Sequence, residues 1–129
     1  MKTSPTQRSL AYLRKMGCTA AVVEKWNHVT KIRQDLFGVF DIVAVSRCPG
    51  VLFVQTTTMA NRASRVQKVI AAAATRPILE AGNRIVVHGW SKKGAKGRRK
   101  LWVLDAMPVT LPMLPESANK DAGLSPDPP

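Results

Sequence analysis

Apolar residues return at helical steps through SPTQRSLAYLRKMG, where Leu10, Leu13 and Met16 share one face. Ser4 suits an N-cap and Pro5 the first helical position; Gln7 stands at capping-box distance from Ser4, and Gly17 is a natural stop. TAAVVEKW, residues 19–26, predicts a strand, whereas NHVTKIRQDL has no clean period and predicts a basic loop or frayed edge. Two denser apolar runs follow. They predict strands over 37–46 and 51–57, joined into a hairpin by RCPG with Pro49-Gly50 in the turn. MANRASRVQKVIAAAA predicts a second helix with Ala63, Val66, Ile70 and Ala73 on its apolar face and Arg62, Arg65 and Lys68 on one flank. Thr75 and Pro77 restart a short helical turn that Gly82 ends, and NRIVVHGW and KLWVLDA predict two last strands around SKKGAKGRR.

From Met107 onward Pro, Ser, Asn and Asp dominate without apolar period, which predicts a disordered tail over 107–129 and a single folded domain over 1–106. The resulting order, α-β-β-β-α-β-β, belongs to an α/β class with a mixed sheet flanked by helices. There is no internal repeat.

Two side chains interrupt the central hairpin. Asp41 lies between Phe40 and Ile42, and Gln55 follows fourteen positions later in VLFVQTTT. Strand neighbours on one face can aim a carboxylate and an amide at a single point. That is a use for polar groups in otherwise buried strands.

Charge sharpens the picture. The 129 residues carry 20 Lys and Arg against 8 Asp and Glu, a net charge of +12, which points to a polyanionic partner such as nucleic acid. Only Glu24, Asp35, Asp41, Glu80 and Asp105 are acidic before residue 106, so each interior carboxylate needs a reason. An aromatic share of 5% argues against a surface built broadly for base stacking. Cys18 and Cys48 form no CxxC pair and the two histidines lack zinc-ligand spacing; free thiols fit a reducing cytoplasm. No apolar run approaches the roughly 20 residues that span a bilayer, and no signal peptide is visible, so a soluble cytoplasmic protein is expected.

The element order, an acid in FGVFDIVAV and polar residues in VLFVQTT just before a helix together resemble the PD-(D/E)xK nuclease superfamily, especially small Holliday-junction-resolvase-like and phage-type members. The resemblance covers about residues 5–90. It implies a restriction-endonuclease-like α-β-β-β-α-β core and a Mg²⁺-dependent endonuclease acting on DNA, including branched DNA, with a homodimer as the common assembly. It further implies Asp41 as principal metal ligand, Gln55 and the Thr56 carbonyl as further oxygens, and Glu24 as an additional acid. Gln55 stands where the family has Glu, and Thr57 where it has Lys. Lys68 or Arg65, on the following helix, would replace that cation. The alternatives are a catalytically inactive nuclease-fold DNA- or RNA-binding protein and a basic phage protein that inhibits a nucleoprotein partner.

Two further features carry charge. SKKGAKGRRK holds Lys92, Lys93, Lys96, Arg98, Arg99 and Lys100 with two glycines, the composition of a mobile loop that tracks phosphates. Arg62 and Arg65 are candidate phosphate contacts on the helix flank. Trp90 and Trp102 flank the loop, either as cross-strand packing or as a stacking platform. Asp35, in RQDLFG, is read as a turn former that can also support the Asp41 site.

Overall fold

The computed structural model describes residues 3–115. Helix α1 (Pro5–Lys15) opens as its sequence predicts: the Ser4 hydroxyl accepts a hydrogen bond from the Gln7 N–H at 3.2 Å. A five-stranded sheet follows in the order β1 (Thr19–Val22), β4 (Ile42–Val45), β5 (Leu52–Thr58), β6 (Arg84–Lys93) and β7 (Leu101–Val109). All neighbours pair antiparallel except β5 and β6, which run parallel with Leu52 beside Arg84 and Thr58 beside Trp90. A parallel pair needs a crossover, and helices α2 (Arg62–Ala71) and α3 (Thr75–Glu80) supply it. The sheet is therefore mixed and flanked by helices, as the pattern predicts.

Alternation along the strands sorts the core into two layers. Leu10 and Leu13 of α1 pack with Ala20, Ile42, Ala44 and Val54. Val66, Val69 and Ile78 of the crossover helices pack on the other side with Phe40, Ile85, Val87 and Val109. Phe40 and Val69 are fully buried, and each side chain of this kind contributes about 1.5–3 kcal/mol to folding.

Four sequence expectations are corrected. The strand predicted from residue 37 begins at Ile42, because Phe37 and Gly38 take positive φ (56° and 80°) and close a turn in which the Leu36 N–H donates to the Phe40 carbonyl. The strand predicted over 19–26 breaks after Val22, and the predicted loop pairs back as a small hairpin of β2 (Lys25–Asn27) and β3 (Ile32–Gln34). The second helix is preceded by a 3₁₀ turn over Met59–Asn61, and within the helix Val69 is buried while Ala63 is exposed. Finally, β7 continues through Met107 and Pro108 to Val109, which is 1% exposed, so the domain extends past residue 106. Proline is tolerated there because β7 is the sheet's edge. The remainder of the predicted tail, 116–129, lies outside the described residues.

One close approach fixes the start of the parallel pair. A Cβ on Gly50 would lie 2.4 Å from the Gly82 carbonyl oxygen, while the Asn83 side chain accepts from the Val51 N–H at 2.9 Å. The turns before β5 and before β6 thus interlock.

Candidate functional site

Asp41 sits one residue before β4 and is pinned on both sides. Its N–H donates to the Val54 carbonyl and its carbonyl accepts from the Val23 N–H, both at 2.8 Å. Its carboxylate then takes the place of a strand partner. Oδ2 accepts from the Thr56 N–H at 2.8 Å, the Thr56 hydroxyl at 3.1 Å and the Gln55 Nε2 at 3.2 Å. Asp41 and Gln55 therefore meet across the hairpin as expected.

Two further acids arrive from irregular segments. Glu24 occupies the break between β1 and β2, and Asp35 begins the turn that precedes β4, where its carbonyl accepts from the Gly38 N–H at 2.9 Å. One carboxylate oxygen from each of Glu24, Asp35 and Asp41 lies within 4.8 Å of the others. Like charges this close resist joint ionisation. Burial, foremost, pushes the Asp41 carboxyl up to about 7; the Thr56 N–H pulls it down, and the charge of Asp35 adds to the rise.

Gln55 is 2% exposed, and its Nε2 is shared between Asp41 and the Thr56 carbonyl. Its Oε1 is buried with no hydrogen-bond partner; among the described residues only the Arg84 Nε shares that condition. A buried acceptor left unpaired costs about 1–3 kcal/mol, so this oxygen marks an incomplete arrangement. A cavity of about 340 Å³ opens over the group, lined by Glu24, Asp35, Asp41, Gln55, Thr57 and Arg65, with the first turn of α1 at its rim. The three carboxylates offer hard oxygen donors of the kind that Mg²⁺ or Mn²⁺ accepts, with the Gln55 amide beside them turning its Nε2 to Asp41.

The other sequence candidates divide. Gln55 and Thr57, two apart on β5, both reach the cavity. Thr56 meets Asp41 through its N–H and hydroxyl, while its carbonyl accepts from Gln55. Arg65 lines the cavity; Lys68, one turn further along α2, is exposed and not among the lining residues. Arg62 pairs with Asp105, its stem lying against the backbone of Gly89. Asp35, read from sequence mainly as a turn former, joins the acidic cluster through that turn. The signal was the Phe37-Gly38 pair, which reverses the chain and returns Asp35 to Asp41.

The basic hairpin loop lies elsewhere. Lys92, Lys93, Lys96, Arg98, Arg99 and Lys100 are all exposed, and among the described residues none is paired with a carboxylate. Such a segment can follow a phosphate backbone without a fixed geometry. Trp102 stands opposite Lys92 and Trp90 opposite Leu104, so the two indoles are diagonal neighbours on one face.

Compared with family models, curated proteins and solved structures, the chain finds no match. Among the described residues no helix is long and apolar enough to cross a membrane.

Proposed function

We propose that the acidic cavity holds a divalent metal ion and that the protein is a Mg²⁺-dependent endonuclease acting on DNA. The observation that carries this reading is the convergence of Glu24, Asp35 and Asp41 within 4.8 Å beside the unpartnered Gln55 oxygen, in a chain of net charge +12. Three of the five acids that precede residue 106 gather at this one cavity, a concentration that a bound cation would favour. With the β2–β3 hairpin set aside, the order of helices and strands agrees with the nuclease core that the sequence resembles.

A bound ion would supply Lewis-acid polarisation of the phosphoryl oxygen and a more acidic water. Asp41 would yield its proton on cation binding and act as the principal ligand, with Glu24 and Asp35 as the further carboxylates. Rotation of the Gln55 amide would turn Oε1 toward the cluster and give that orphaned oxygen a partner. Thr57 carries no charge, so Arg65, at the cavity wall, supplies the cation that steadies charge on the phosphate. Lys68 is less well placed for this role.

Nicking of supercoiled DNA in Mg²⁺ or Mn²⁺ is the test. Asp41→Ala should lower it at least about 100-fold, the scale of losing a main electrostatic contributor at a reacting centre. Gln55→Glu with Thr57→Lys should raise it. Nucleic-acid binding by a folded protein with no nicking by either form would leave the non-catalytic alternative standing.

A further inference from the structure

We propose that the groove between α1 and the β6–β7 hairpin binds single-stranded nucleic acid, seating an unpaired base against Trp102. The groove has a volume of about 360 Å³, and its walls include Arg8, Tyr12, Lys15, Trp90 and Trp102. None of its lining residues is acidic. Aromatic residues are scarce in this chain, seven in all, yet three of them meet here. Tyr12 meets Trp90 edge to face at 6.4 Å between centroids, and Trp90 is anchored by its indole N–H on the Ser9 hydroxyl at 2.8 Å. These rings are therefore held in place.

Trp102 is different. It is 41% exposed, with the Arg8 guanidinium 3.7 Å from its ring centroid and the Lys92 ammonium at 5.5 Å. A part-exposed flat ring with the Arg8 guanidinium over it and the Lys92 ammonium close by sets a π surface beside positive charge, which matches a nucleotide's base and phosphate. In a duplex the base faces are already stacked, so an exposed indole recognises an unpaired base. An acidic peptide would use the cations but not the ring. The hairpin loop continues the positive surface beyond Lys92, giving the flanking phosphates somewhere to go.

The groove also borders the acidic cavity. Thr3, Gln7 and Arg8 line one, Pro5 and Thr6 the other, so both flank the first turn of α1. The assignment of single-stranded substrate rests on the nucleic-acid reading of the protein, but its test needs no catalysis.

Binding of short labelled oligothymidylate and of a duplex of equal length is measured in EDTA on an Asp41→Ala background, so that failure of cleavage does not bear on the outcome. Trp102→Ala should weaken the single strand roughly 10-fold, the size of one stacked base, and the duplex less than about 2-fold, with the salt slope unchanged. An equal loss on both, or no loss on the single strand, overturns the proposal. If Trp102→Ala does not fold, the unsubstituted groove still decides. Oligothymidylate should quench tryptophan fluorescence where polyglutamate does not, and equal quenching by the two overturns it.

Discussion

Two buried polar networks lie side by side beneath α1, and only one of them is complete. Thr56 and His88 are neighbours in the parallel ladder of β5 and β6. On the β6 side, Ser9 Oγ accepts from the Trp90 indole at 2.8 Å and lies 2.9 Å from His88 Nδ1, to which it can give its own proton. Burial alone lowers the His88 pKa to about 4, so the ring is neutral and satisfied. On the β5 side, Thr6 reaches Thr56 at 2.8 Å and Thr56 reaches Asp41, but the chain of bonds ends on clustered carboxylates and an orphaned amide oxygen. The same helix thus seals one network for stability and leaves its neighbour with an unpaired amide oxygen.

The largest effect that separates the two belongs to Ser9→Ala. It strands the Trp90 N–H and the His88 Nδ1 in the core and should cost about 2–4 kcal/mol, read from the urea midpoint at constant m. A loss below about 1 kcal/mol would mean that the network is not closed as described.

Next in size is the response to pH. His88 has a folded pKa near 4 against 6.5 unfolded, so the unfolded chain takes up its proton first as pH falls. The stability tied to neutral His88 is whole above pH 6.5 and drains away as pH drops toward 4. His88→Gln should show a shallower fall over that window in chemical denaturation. Asp41 carries the opposite sign: its folded pKa is raised from 3.8 to about 7, so the cost of ionising it grows as pH rises between those values.

The smallest expected change is Gln55→Met. It removes an orphaned oxygen along with the two long Nε2 bonds to Asp41 and the Thr56 carbonyl, so metal-free stability should move by less than about 1 kcal/mol. The rise in melting temperature on adding Mn²⁺ should shrink at the same time. A destabilisation as large as that of Ser9→Ala would erase the distinction between the networks.

Much of the α/β frame was legible because its strands and α1 carry their own period, caps and turns. The polar pair was legible too: Asp41 and Gln55 contradict the apolar runs around them. What escaped were features set by position along an element and by distance along the chain. Arg65 lines the cavity and Lys68 does not, because Lys68 sits on the same flank one turn further from the start of α2. Ser9 and His88 are 79 positions apart, and nothing local in either segment announces their contact. The end of the domain was misplaced because Pro108 reads as tail composition, whereas an edge strand can absorb it.

The interlocked turns at Gly50 and Gly82 have a consequence for how this sequence can drift. Gly50 is exposed, and by surface criteria it belongs with the freely variable positions. Its φ of 79° and the carbonyl 2.4 Å from where a Cβ would stand close it to every side chain. Gly97, also exposed and at φ 80°, has open space in the same place. Change at Gly97 meets backbone strain alone, while change at Gly50 must also part β5 from β6 at their common origin. Of two glycines alike in exposure and backbone angle, one is held by its neighbours and the other is free to vary among the few residues that accept a left-handed turn.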